Sequence, residues 1–239
     1  MTRRGEIDLL NGGGEARICV VMAHYASGAA RIEIDQFEPR TDGTHPALIV
    51  LHGSGGAASY WMDQFAPVLN NFGAAIYAPH YFDKTGTVRA TTEMILDGRH
   101  FIGWLDAIQN ALDYVEGRPH VDPGRIGVLG VSLGGYLAVA LGIEERRIRA
   151  VVEVSGGIPL GWEERMPADM APVLILHGER DQVVPVSEAR KLEKLLKEHR
   201  VKHETAIFPD ETHWFSMPAR FQLLLRSGDF LGRHLLHRD

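Results

Sequence analysis

Three residues far apart in the chain have the types that together perform nucleophilic acyl transfer. Ser132 lies in Gly130-Val131-Ser132-Leu133-Gly134, a G-x-S-x-G arrangement. A serine hydroxyl is a weak nucleophile at its ordinary pKa. It needs a histidine to take its proton and an acid to hold that histidine's tautomer and stabilise the imidazolium. His213, beside Trp214, is the candidate base, and Asp181 is the candidate acid. Glu179 and Asp210 compete for the acid role, the first being nearer its strand and the second able to cap the turn before His213. Of the twelve histidines, His52 and His177 each precede a glycine at the end of an apolar run and read as loop braces. His80, His100 and His203 have no evident partner in the sequence.

The serine needs a strained turn between a strand and a helix, and its surroundings predict one. Ile126 to Val131 is a short apolar run after Pro123-Gly124 and reads as a buried strand, while Leu133 to Leu141 reads as a buried helix. Gly130 and Gly134 carry no Cβ, so strand and helix can approach closely there. A second glycine-rich turn, His52-Gly53-Ser54-Gly55-Gly56, follows the apolar run Ala47 to Leu51. It lacks the Lys-Ser/Thr ending of a phosphate loop and the G-x-G-x-x-G spacing of a dinucleotide site. Its expected role is an oxyanion hole, in which the backbone N–H of Ser54 or Gly55 joins that of Leu133.

The elements that must position these residues follow from periodicity. Two early strands are predicted over 16–24 and 31–37, the second alternating polar and apolar residues like a sheet edge. From Ala47 onward, apolar runs at 47–51, 73–78, 126–131, 149–154, 172–176 and 203–208 alternate with helical patterns at 58–71, 97–117, 133–141, 187–200 and 218–236. That alternation predicts an α/β fold with a mostly parallel sheet of about eight strands covered on both faces. Active sites of such sheets form beyond the carboxyl ends of the strands. The stretches 52–56, 130–135, 177–185 and 209–215 all fall there.

Composition narrows the function classes. A chain of 239 residues with 45% hydrophobic content is expected to form a single domain, residues 1–239, with 1–15 as a loosely ordered N-terminal segment. A net charge of −6 without a basic stripe argues against a nucleic-acid partner. The single cysteine, Cys19, excludes an internal disulfide and a cysteine-rich metal site, and it reads as a buried structural thiol. No apolar run reaches membrane-spanning length, and the N-terminus lacks the features of a signal peptide. The expectation is a cytoplasmic protein with no membrane partner, no metal and no cofactor. The sequence does not indicate its oligomeric state.

The chain order Ser132, Asp181, His213 is that of α/β-hydrolases. Together with HGSGG at 52–56, GVSLGG at 130–135, His177-Gly178-Glu179-Arg180-Asp181-Gln182-Val183-Val184-Pro185, and DETHWF at 210–215, it resembles the dienelactone hydrolase family over about residues 15–236. The resemblance implies an α/β-hydrolase fold without a large lid and assigns Asp181 as the acid. It departs at the nucleophile: dienelactone hydrolase proper uses cysteine where this chain has Ser132. Only Arg89 is a candidate for holding a substrate carboxylate. The expected activity is that of a carboxylesterase-like serine hydrolase acting on small to medium esters. Lactone hydrolysis, peptidase or thioesterase action, and a non-catalytic binding role are the alternatives. The segment 156–171 is too short for a large lid, so an open pocket is expected, with Tyr60, Trp61, Tyr81, Tyr136, Trp162 and Trp214 as candidate linings.

Overall fold

Short β-branched runs become strands here because burial on both faces rewards them, and the amphipathic stretches between them become covering helices. The computed structural model describes residues 2–8, 17–39, 42–56 and 73–236. The helix expected over 58–71 lies outside the described residues, as do Tyr60 and Trp61. Within the chain, Cα proximity separates two compact units. The first comprises residues 1–50 and 55–126, the second 51–54 and 127–239.

The first unit holds β1 (Thr2–Asp8), β2 (Arg17–Ser27), β3 (Ala30–Phe37), most of β4 (His45–Leu51) and β5 (Ala75–Pro79). These strands are ordered β1-β2-β3-β5-β4. β1–β2, β2–β3 and β3–β5 pair antiparallel, and β4 pairs with β5 in parallel. A 3₁₀ turn (Tyr81–Thr85) follows β5. Helix α1 (Thr92–Leu96) is capped by the Thr91 hydroxyl, and helix α2 (Arg99–Glu116) stops at Gly117. β1 falls within the segment expected to be loosely ordered, and it brings the strands among the described residues to nine where about eight were expected.

The edge expected at 31–37 is corrected. β3 has β2 on one side and β5 on the other, so it is an interior strand. Its alternation misleads because Asp35 and Gln36 find side-chain partners within the unit. His80 Nε2 lies 3.0 Å from Asp35 Oδ2, and the Tyr114 hydroxyl donates to Gln36 Oε1 at 2.9 Å.

The second unit continues from the end of β6 (Val121–Val131, from Gly127 onward), through α3 (Leu133–Glu144), β7 (Ile148–Val154), β8 (Val173–Gly178), α4 (Val186–Glu198) and β9 (His203–Phe208), to α5 (Met217–Leu231) and a closing π turn (Gly232–Leu236). The strands run β6-β7-β8-β9, and β7, β8 and β9 pair in parallel. Helix α4 is amphipathic and buries Ala189, Leu192 and Leu196 on one face. Helix α3 is apolar on all sides and buries every residue from Leu133 to Ile143 except Tyr136. It lies so close to β7 that a Cβ on Gly142 would stand 2.7 Å from Val151 Cγ2 and 2.9 Å from Met170 Cε. No helix among the described residues is long and apolar enough to cross a membrane.

That contact sets the sign of a stability change. At an open helical position Gly→Ala stabilises by roughly 0.5–1 kcal/mol. Gly142→Ala is instead expected to destabilise by about 1 kcal/mol, because the added methyl overpacks against Val151. Urea denaturation measures the difference, and a gain in stability would contradict the packing described.

Candidate active site

Ser132 follows β6 directly and precedes the first residue of α3. Its backbone adopts φ 57°, ψ −120°, a conformation strained for any residue with a side chain. Three contacts hold it: Ser132 N–H donates to the Val154 carbonyl at 2.8 Å, and the Ser132 carbonyl accepts from Gly135 and Tyr136 at 2.8 and 3.3 Å. A Cβ on Gly130 would collide with the Gly134 carbonyl, and one on Gly134 with the Leu51 and His52 carbonyls. Glycine at both positions is therefore a steric requirement of the turn.

The loops after β8 and β9 deliver two more side chains. His213 Nε2 stands 3.1 Å from Ser132 Oγ, and His213 Nδ1 stands 2.7 Å from Asp181 Oδ2. Asp181 is 6% exposed, and its other oxygen accepts from the Val183 and Val184 amides at 2.8 and 2.9 Å. With Asp181 accepting the Nδ1 proton, Nε2 is the ring nitrogen left to receive the serine's proton. The competing acids lie elsewhere. Glu179 pairs with Arg190 and Asp210 with Arg180, all on the surface.

The other histidines take different roles. His177 is fully buried, with Nε2 2.8 Å from the Val184 carbonyl and 3.5 Å from Asp181 Oδ2. Burial pushes its pKa below the ordinary value, so it is a neutral brace of the 181–184 turn. His52 Nδ1 contacts the Gly53 carbonyl at 2.8 Å, and His203 Nδ1 the Val201 carbonyl at 2.8 Å. In the first unit His80 meets Asp35, and His100 meets Asp97. No group of three or more His, Cys, Asp or Glu among the described residues is placed to hold a metal ion.

Around the serine, Leu133 opens α3, so its amide is among the first-turn N–H groups that have no intrahelical acceptor. Gly53 approaches the serine from the 52–54 turn: a Cβ there would be 3.3 Å from Ser132 Cβ. Ser54 follows it, whereas Gly55 belongs to the first unit and needs no close approach. The structural need for Gly53 was hidden in the sequence by the run of glycines around it.

The aromatic candidates separate by exposure. Trp214 is 71% exposed, and its ring meets the His213 ring edge-to-face at 5.3 Å. Tyr136 is half-buried; burial first, then the charges of Glu188, Glu153 and Asp181, push its hydroxyl pKa up. Tyr81 is corrected as a lining residue: it is 0% exposed and packs against Phe82 and Trp104 as part of a core cluster. Trp162 is corrected likewise, being buried with the Arg165 guanidinium stacked 3.9 Å from its ring centroid. Arg89 is exposed on the first unit.

A fourth titratable residue lies behind the serine. Glu153, on β7, is 0% exposed. One carboxyl oxygen accepts from the Gly156 amide, and the other has no hydrogen-bond partner. Burial, aided by the nearby Asp181 charge and opposed by the Gly156 hydrogen bond, pushes its pKa up to about 8. Nothing in an apolar strand sequence marked this acid for a special environment.

Residues 35–222 match the dienelactone hydrolase family. The chain belongs to that family. It has the α/β-hydrolase fold and shares hydrolase ancestry with it. One curated relative, the uncharacterized protein YfhR of Salmonella typhimurium, is 31% identical over 155 residues, 52% of each chain. The present chain thus spans about half the length of the curated relative it matches. The dienelactone hydrolase-like promiscuous phosphotriesterase P91, from metagenomic libraries, superposes with a TM-score of 0.79 at 17% identity, covering 91% of this chain and 98% of that one. An acylaminoacyl peptidase of Pyrococcus horikoshii superposes at 0.76 and 17% identity, covering 93% of this chain and 42% of that one. Likeness at these identities establishes the fold.

The buried glutamate has a thermodynamic signature. Its pKa rises from 4.5 in the exposed chain to about 8 when folded, so between those values the unfolded state has released a proton that the folded state keeps. Stability must therefore fall as pH rises through that window, by up to about 1.4 kcal/mol per pH unit, and level off above it. Chemical denaturation of wild type and Glu153→Gln from pH 5 to 9 should show the slope in the first and its loss in the second.

Proposed function

We propose that this chain is a serine hydrolase that cleaves small to medium carboxylic esters through an acyl-enzyme on Ser132. The observation that carries this reading is the relay from Asp181 Oδ2 through both His213 nitrogens to Ser132 Oγ, with spacings of 2.7 and 3.1 Å. As Oγ attacks the ester carbonyl, its proton passes to His213 Nε2, and Asp181 stabilises the imidazolium. The carbonyl oxygen becomes an oxyanion facing the amides of Leu133 and Ser54, at the positive end of α3. Collapse of the tetrahedral intermediate breaks the carbon–oxygen ester bond. His213 gives its proton to the leaving alcohol, and the acyl group stays on Ser132. Water, deprotonated by His213, then attacks the acyl carbon; the bond from that carbon to Ser132 Oγ breaks, His213 returns the proton to Oγ, and the acid is released. The chemistry requires no metal or organic cofactor.

Two features favour small, accessible substrates. The segment between β7 and β8 runs 155–172 with one 3₁₀ turn (Glu163–Arg165), and it buries its aromatic residue Trp162 instead of presenting it as a lid. Beside the base, Trp214 is open to solvent. A lactone ring opens by the same steps, as do thioesters and amides, so family membership and peptidase likenesses keep those substrates as the second reading.

Hydrolysis of p-nitrophenyl esters from acetyl to decanoyl tests the proposal. Turnover is expected to peak at short chains. Ser132→Ala should lower kcat by about 10³-fold or more, and Asp181→Asn by roughly 10²–10⁴-fold, with KM little changed. Failure of folded wild type to turn over any ester or to react with a fluorophosphonate would remove the serine-hydrolase reading. Rates on an ester, thioester and anilide of one acyl group rank the substrate classes.

A further inference from the structure

Glu153 sits where strand β7 meets the nucleophile turn, and the packing around its carboxyl leaves no slack. The oxygen that accepts the Gly156 amide is wedged between two glycines. A Cβ on Gly156 would lie 2.9 Å from it, and one on Gly135 3.3 Å. The same hypothetical Cβ on Gly156 would lie 3.0 Å from the Ser132 carbonyl oxygen and 3.0 Å from Gly135 Cα. Gly156 thus fills the gap between the Glu153 carboxyl and the backbone of the strained serine. The strand end between them is itself strained. Ser155 is fully buried at φ 52°, its N–H donates to the Leu176 carbonyl at 2.9 Å, and its hydroxyl has no partner. One residue earlier, the Val154 carbonyl accepts the Ser132 N–H.

We propose that Glu153 is a positioning residue for the acyl-transfer reaction, its neutral carboxyl clamping the Gly156 backbone against the Ser132 turn and so fixing Oγ opposite His213. The inference rests on the serine-hydrolase reading above. The charge state matters because of what surrounds the group. The titratable neighbours facing Glu153 are Asp181, from the loop after β8, and Tyr136, on α3. The Gly156 N–H is its hydrogen-bond donor, and no cation among the described residues acts on its carboxyl. An ionised Glu153 places an uncompensated negative charge behind the serine whose acyl carbonyl must become an oxyanion. That charge slows acylation as the carboxyl loses its proton. Glutamine keeps the acceptor for Gly156 and cannot ionise, while alanine removes the clamp.

The test compares wild type, Glu153→Gln and Glu153→Ala in two assays. One is the pH profile of kcat and KM on p-nitrophenyl acetate, and the other is the rate of fluorophosphonate labelling of Ser132. Wild-type kcat is expected to fall above about pH 8, and that alkaline fall should be absent in Glu153→Gln, which keeps kcat within about fivefold at pH 7. Glu153→Ala should lower kcat and the labelling rate together by about tenfold or more, with KM changed by less than about twofold. An alkaline fall that survives in Glu153→Gln would overturn the proposal, as would a folded Glu153→Ala variant that labels at the wild-type rate. If alanine prevents folding, the Glu153→Gln profile decides alone. Wild type that is neither labelled nor active would bring down the serine-hydrolase reading and this inference together, whereas a labelled, active wild type indifferent to both substitutions overturns only the inference.

Discussion

The backbone of Ser132 is held at a positive φ that its side chain disfavours, and much of the second unit exists to keep it there. The strain raises the hydroxyl clear of the sheet at the mouth of helix α3. It persists because the turn is over-determined: Val154 anchors the serine N–H, Gly135 and Tyr136 hold its carbonyl, and Gly130 and Gly134 occupy volumes where any Cβ would strike backbone. A helix buried on nearly every side can anchor such a turn, because α3 cannot shift without opening its contact with β7. The all-round apolarity of α3 and the strain at its first residue are two aspects of one construction.

The parallel arrangement of β7, β8 and β9 supplies the remaining parts. Neighbouring parallel strands end on the same side, so the loop after β8 and the loop after β9 emerge together, and Asp181 and His213 meet although 32 residues separate them. Each is then tied locally. Val183 and Val184 point their amides at Asp181, and His177 pins the same turn from inside through the Val184 carbonyl. The acid thus presents a single oxygen to the base in one orientation. Such a fixed carboxylate holds an imidazole tautomer better than a mobile surface acid, and Glu179 and Asp210, both engaged with exposed arginines, could not substitute for it.

The residues legible in the sequence were those whose position along the chain is itself a physical constraint. Ser132 lies between a β-branched run and a small-residue helix. His213 and Asp181 each lie just past an apolar run, and parallel strands bring such positions together. What stayed hidden depended on partners that periodicity cannot supply. The alternation of β3 looked like an edge because nothing in Asp35 and Gln36 announces that His80 and Tyr114 will meet them. Tyr81 and Trp162 lie near strand ends, where pocket residues gather, yet both rings turn inward, and only three-dimensional packing distinguishes the two fates. Gly53 was lost among adjacent glycines, all equally permissive on paper, although only its own neighbourhood crowds the serine.

Glu153 is the hardest residue of all to read, because an acid in the middle of Val151-Val152-Glu153-Val154 gives no sign of whether it faces water. Inside the fold, its contrast with Asp181 is one of donor supply. Three N–H groups converge on Asp181, two from backbone amides and one from His213, whereas a single amide reaches Glu153. A buried carboxylate is tolerated where its lone pairs are met, and a carboxyl met once is held neutral. In the proposed mechanism two acids within electrostatic reach of each other at one sheet end therefore serve different ends, one as a charge for the imidazolium and the other as a neutral wedge. Keeping that wedge costs the fold stability as pH rises, and an apolar side chain of similar size would remove the cost. Its oxygen, however, is what meets Gly156, and through Gly156 the strand end that anchors Ser132.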